Sequence, residues 1–205
     1  MQYCKIKTWD LFSEAKKRSP KWSLAECSGR FVECSGHGAD ASLSAASHLV
    51  LEAQIQGEHV AWLTAQHTSF FPPDMEKLGV DLAALPVIRL AKHKQLIRAA
   101  DLLVRTSAFA LVVIDVPERL DISLHAQSRL FGLARKHHTA IVALTTKTHE
   151  QSSLGSMISL RVQAIRMHAP QGASRFGVKI KALKDKKQGP LWHTTKDCDG
   201  PPGLR

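Results

Sequence analysis

Residues 33–43, ECSGHGADASL, set Gly36 and Gly38 between a short β-branched and aromatic run, Arg30 to Cys34, and a long helical pattern that continues to Gln56. Glycines at a strand–loop–helix junction suit a phosphate cradle, because their backbone N–H groups approach phosphate oxygens closely and the helix N-terminus adds a favourable field. The complete pattern is G-x-x-x-x-G-K-[ST], in which the lysine meets phosphate charge and the hydroxyl meets Mg²⁺. Counted from Gly36, the second glycine falls on Ala41, the lysine on Ser42 and the hydroxyl on Leu43; counts from Gly29 or Gly38 do no better. Asp40 puts the opposite charge where the helix should begin. A carboxylate there satisfies free N–H groups and the positive helix end, worth about 0.5–2 kcal/mol as a cap. It also repels a triphosphate from the same seat. No useful ATP affinity is expected, and weak binding through the Gly36 and Gly38 amides is left open.

Such a junction needs a sheet behind it. HVAWLT (59–64) and PVIRLA (86–91) read as strands, while FALVVID (109–115) and AIVALTT (140–146) are continuous apolar runs of the kind buried on both faces. Helical patterns over 41–56, 74–78, 92–106 and 124–136 alternate with them. The alternation predicts an α/β fold, a mostly parallel twisted sheet flanked by helices. After residue 157 come LRVQAIRMH, RFGVKIKAL and PLWH, which suit antiparallel strands added at the C-terminal edge. The expected organisation is an N-terminal helical segment, 1–21, a core domain, 22–193, and a flexible tail, 194–205.

Bulk properties narrow the function. With 205 residues, 44% hydrophobic and 22% charged, and no long apolar run, the chain suits a water-soluble, cytoplasmic protein without a membrane span or secretory leader. Cys4, Cys27, Cys34 and Cys198 show neither C-x-x-C spacing nor a histidine cluster, so no metal site or disulfide framework is expected. The net charge of +10 sits at the ends: residues 1–21 carry six Lys/Arg against two acids, and residues 161–205 carry ten against three. Basic flanks touch an anionic partner or only water; the near-neutral middle does not advertise a nucleic-acid groove. In the first segment Trp9, Leu11 and Phe12 share one face, which packs on the core or docks on another protein. His137 and His138, at a helix end, complement its dipole better than they suit a metal.

The stretches GRFVECSG, QGEHVAWLTAQH, MEKLGVDLAAL, FALVVIDVPERL and VKIKALKDKKQGP together resemble the ATPase core of bacterial RecA, from about Trp22 to Trp192. WSLAECSGRFVECSG and the reduced loops look closer still to the small RecA-like proteins of the ImuA type, also described as SulA-like, which accompany error-prone polymerases in damage-induced mutagenesis. The resemblance implies a RecA-like P-loop fold. It aligns Ser42 with the phosphate-binding lysine, Leu43 with the Mg²⁺-binding hydroxyl and Gln66 with the glutamate that activates water. Asp115 retains the Walker-B carboxylate and is expected to hydrogen-bond the loop near Ser42 and Ser44. No catalytic residue, cofactor or metal is therefore expected.

The two loops that carry single-stranded DNA in RecA correspond to VPERLD (116–121) and TKTHEQSSLGSM (146–157), both short, the second with Lys147 as its only Lys or Arg. Neither offers a basic groove with stacking aromatics, so nucleic acid is expected to bind weakly and in a salt-sensitive way. Lys184 and Lys186 match a pair that, in RecA, reaches a neighbour's nucleotide; here they are a solvated turn or a partner surface. The implied role is a catalytically inactive accessory protein in SOS mutagenesis and translesion synthesis, with RecA, an ImuB-type polymerase-like protein and its error-prone polymerase as partners. Self-association stays open. Alternatives are a weak ATPase, in which Lys184 or Lys186 of a neighbour supplies the missing charge, a basic DNA-binding protein, and a SulA-like cell division inhibitor.

Overall fold

A computed structural model describes residues 22–37, 40–65, 70, 72–116, 122–167, 175–189 and 192–199. In chain order the elements are α1 (Leu24–Cys27), β1 (Phe31–Gly36), α2 (Ser42–Ile55), β2 (Val60–Ala65), α3 (Pro72–Lys77), β3 (Val87–Leu90), α4 (His93–Arg105), β4 (Leu111–Asp115), α5 (Leu124–His137), β5 (Ala140–Thr146), β6 (Leu160–Met167), β7 (Arg175–Asp185) and β8 (His193–Asp199). The strands form one eight-stranded sheet in the order β3-β2-β4-β5-β1-β6-β7-β8.

The central strands are buried on both faces, which is why their sequences run apolar without alternation. On one face α2 packs Ala45, Leu49 and Val50 over Val32, Trp62, Val113 and Val142. On the other, α4 and α5 bring Leu96, Ala100, Val104, Leu130 and Ala134 against Phe31, Leu63, Ile114 and Ile141. The 96–100–104 spacing puts three buried side chains on one stripe of α4. Truncating a fully buried leucine such as Leu49 to alanine should cost about 2–5 kcal/mol. Trp22 closes one end of this core, its indole N–H donating to the Ala45 carbonyl at 2.8 Å.

The C-terminal strands add the expected antiparallel edge, with two differences in detail. β6 pairs with β1 in parallel, and only the β6–β7 and β7–β8 pairs are antiparallel. The crossover from β5 to β6 passes over β1 through thirteen residues without a helix. The stretch 194–199, expected to belong to a flexible tail, lies in β8, paired with Arg175 to Ile180 of β7. Cys198 is buried there, 3.1 Å from Nε2 of His48. The expected N-terminal segment, 1–21, with Trp9, Leu11 and Phe12, lies outside the described residues, as do residues 200–205.

Candidate functional site

The C-terminal ends of β1, β4 and β5 meet beside the N-terminus of α2, and a ligand of an open parallel sheet would enter there. Gly36 ends β1, its carbonyl accepting from the Lys147 N–H at 3.0 Å as the chain leaves β5. Gly38 and Gln66 lie outside the described residues. Asp40 forms an isolated antiparallel bridge with Ile165 of β6.

The Asp40 side chain turns the other way, onto Gly36 and the helix. Oδ1 accepts from the Ser42 N–H at 2.7 Å. A Cβ built on Gly36 would overlap the carboxylate. Glycine is thus required at 36 by the approach of an acid, where a phosphate cradle would require it for the approach of phosphate. The expected cap is found in altered form: α2 begins at Ser42 with Ala41 as its N-cap, which has no side-chain bond, and Asp40 satisfies the first free N–H from one residue further out.

Ser42 and Leu43, at the lysine and hydroxyl positions of the altered motif, are both described. Ser42 is 5% exposed, and Leu43 packs against the α2-side core instead of offering a hydroxyl. Asp115 stands at the end of β4 and accepts from Thr64 Oγ1 of β2 at 3.2 Å. The expected bond from Asp115 to the loop near Ser42 and Ser44 falls partly on residues outside those described. His138 caps α5 in the left-handed conformation at φ 54°, its N–H on the Ala134 carbonyl.

Lys184 and Lys186 lie toward the opposite end of the sheet. Val32 pairs with Leu160 and Leu160 with Asp185, so they are separated from Gly36 by roughly 13 Å of strand. Lys186 Nζ donates to the Ser156 carbonyl at 2.7 Å. Lys184, opposite Arg161, is half-buried, and burial followed by the Lys186 charge pushes its pKa down while Glu33 pulls it up.

A polar set missed by reading the sequence lies under the β5–β6 crossover. Glu33 is fully buried on β1; its carboxylate accepts from Thr145 Oγ1 at 3.1 Å and from the Leu154 N–H at 2.8 Å. Lys147 Nζ and Arg161 Nε lie 3.5 and 3.8 Å from it. Arg161 also donates to the Gln151 and Thr148 carbonyls, Lys147 to Ser152 at 3.2 Å, and Gln127 to Leu154 at 3.4 Å. An irregular crossover has backbone groups that no helix satisfies, and these side chains satisfy them. The only signal in the sequence was one acid inside the apolar run FVEC.

A second buried ion pair ties the added strands to the core. Arg30 Nη2 lies 2.6 Å from Asp185 Oδ1, and Trp192 Nε1 donates to Oδ2 at 3.0 Å. Burial pushes the Asp185 pKa up, but Trp192, the Lys187 N–H and Arg30 together hold it below the usual carboxylate range. Among the described residues no group of three or more His, Cys, Asp or Glu is placed to hold a metal, and no helix is long and apolar enough to cross a membrane.

Comparison with known proteins places these observations. The RecA N-terminal domain family matches residues 25–121. Protein RecA of Fusobacterium nucleatum is 37% identical over 198 residues, covering 80% of this chain and 52% of that protein. Protein RecA of Nocardioides sp. is 40% identical over 88 residues, 42% of this chain and 25% of its own, and that of Leifsonia xyli 32% identical over 131 residues, 58% and 36%. The chain spans about half the length, or less, of these relatives. The matched family segment contains the altered junction itself, from β1 through the start of α2, as well as Asp115. By sequence similarity and by its mostly parallel sheet, the chain is a RecA-like relative.

Proposed function

We infer that this chain is a RecA-like accessory protein that acts by binding other proteins and not by turning over nucleotide. Its resemblance to the ImuA type makes the setting damage-induced SOS mutagenesis and translesion DNA synthesis, with RecA and an ImuB-type polymerase-like protein, together with its error-prone polymerase, as partners. The observation that carries this reading is Asp40: its carboxylate is bonded to the first N–H of α2 and laid against Gly36, in the seat that a phosphate cradle would keep for its anion. Placement of Leu43 in the core and of Ser42 at the lysine position supports it further. So does the crossover 147–159, which corresponds to a DNA-carrying loop in RecA and whose backbone is taken up by Arg161, Lys147, Lys186, Gln127 and Glu33.

Two measurements test the reading separately. Titration calorimetry with ATP and Mg²⁺ should give no heat of binding; an affinity of tens of micromolar would restore a nucleotide-dependent function. Affinity capture from damaged cells, followed by light scattering with purified RecA and the mutagenesis polymerases, should yield a defined complex. Failure to associate with any of them would remove the proposed setting while leaving the first result standing.

A further inference from the structure

The α4–α5 face lies apart from the phosphate seat, and a docking site on it rests on the protein-binding reading above and gives that reading a surface. Between these helices runs an open groove of about 450 Å³. Four cations line it, Lys94, Arg98 and Arg105 from α4 and Arg129 from α5, against one carboxylate, Asp101. Asp101 Oδ1 lies 2.5 Å from Arg129 Nε, and its Oδ2 lies 3.0 Å from Arg129 Nη2 and 2.8 Å from Arg105 Nη2. One acid therefore fixes two guanidinium groups, each about half-exposed, and leaves an excess of positive charge held in place. Neither Lys94 nor Arg98 has an acidic partner among the described residues.

The same groove is apolar along its floor. Ile97 and Leu130 line it, and Leu102 on α4 is 56% exposed although the buried stripe Leu96, Ala100 and Val104 already fastens that helix. Leu124, at the start of α5, is 61% exposed. A solvated helix face has no need of these leucines, and a phosphate backbone has no use for them. The lining contains no Phe, Tyr or Trp, and His125 is its one ring.

We propose that the α4–α5 groove is a docking site for an acidic amphipathic helix of a partner protein. Its leucine-type side chains would seat on Ile97 and Leu102, and its flanking carboxylates would meet Lys94, Arg98, Arg105 and Arg129. Charge complementarity selects the partner's sign. The prefixed geometry of Arg105 and Arg129 lowers the side-chain entropy lost on binding, as pre-organised cations do in general.

The test uses the full chain and a panel of fluorescein-labelled helical peptides, each about sixteen residues or roughly 24 Å long, to match the length of α4. Leucines sit at i, i+4 and i+7 with glutamates flanking them, and binding is followed by anisotropy. Saturable binding, weakened about tenfold or more by Arg98→Glu and by Leu102→Asp in protein that melts as the parent does, supports the site. Three results overturn it. One is no binding by any peptide of the panel; another is equal binding after the peptide leucines are changed to serine, which would mean charge attraction alone. The third is complete competition by a single-stranded oligonucleotide, which would make the groove a nucleic-acid surface.

Discussion

Asp40 performs two tasks, capping α2 and guarding its N-terminus, and substitutions separate them. Asp40→Asn keeps an acceptor for the Ser42 N–H and removes the charge, whereas Asp40→Ala removes both. Asn ranks with Asp as a capping side chain, so the first variant should stay within about 0.5 kcal/mol of the parent. The second should lose about 1 kcal/mol, lowering Tm by about 2–4 °C in a protein of this size. A unit charge about 4 Å from a phosphate oxygen is worth about 1 kcal/mol in bulk water and about 4 kcal/mol at a protein surface. Asp40 is exposed, so the low end of that range, about 1–2 kcal/mol, applies and both variants should bind an anion about 5- to 30-fold more tightly than the parent.

Inorganic tripolyphosphate is the probe, read as a rise in Tm with concentration, at a salt level that quiets the basic ends of the chain. It should stabilise Asp40→Asn and Asp40→Ala at concentrations about 5- to 30-fold below those that move the parent. Gly36→Ala supplies the internal control. In the parent its methyl group meets the Asp40 carboxylate and should cost about 1–3 kcal/mol, but with Asp40→Ala alongside most of that cost should vanish. Equal protection of the parent by tripolyphosphate, or additive effects of Gly36→Ala and Asp40→Ala, would refute the argument that the acid fills the phosphate seat.

Asp185→Ala should destabilise the protein by about 3–5 kcal/mol in urea denaturation, since it leaves Arg30 buried without its partner. Because the folded pKa of Asp185 is depressed, its contribution is present above the unfolded value of about 3.9 and is lost as pH falls through the folded one, so parent and variant should converge in stability at strongly acid pH. Glu33→Gln should loosen the β5–β6 crossover, visible as faster amide exchange over residues 148–157 with little change in α2. His48, whose pKa is lowered by burial and then by Lys196, takes up its proton in the unfolded chain first; stability should fall as pH drops below about 6.5, and His48→Gln should flatten that part of the profile.

The strands that were easiest to find are those whose burial is symmetrical. LVVID and AIVALTT are covered on both faces, so their apolar content is continuous and needs no partner to be recognised. The pairing of β6 was not legible. LRVQAIRM looks like the first arm of a meander, and its parallel partner β1 lies more than a hundred residues earlier, joined through a crossover with no helix to announce it. β8 was missed for another reason: HTTKDCD is an edge strand with Cys198 as its one buried hydrophobic residue, so its composition resembles a tail. At the site, Asp40 was legible as an acid at a helix start because capping is local chemistry. Its contact with Gly36, and the Thr64 bond to Asp115, depend on how the loop and neighbouring strands lie, and one-dimensional spacing does not encode that. Glu33 was passed over because an acid in an apolar run has meaning only once Lys147, Arg161 and the crossover amides are brought around it.

Two separate sets of contacts fix the loop after β1 and the crossover after β5, and they share no residue. The loop after β1 is held by Asp40 on Ser42 and by the bridge to Ile165; the crossover after β5 is held by Glu33, Arg161, Lys147, Lys186 and Gln127. Opening the first would forfeit a cap, and opening the second would strand a buried carboxylate and its cations, at a cost of several kcal/mol. A ligand meeting either region would have to supply that free energy before gaining any affinity of its own. The α4–α5 groove demands no such rearrangement, because two of its cations, Arg105 and Arg129, are already fixed and Leu102 is already exposed. Binding there would use the folded protein as it stands, which favours association through a rigid helix face over a cycle driven at the sheet's edge.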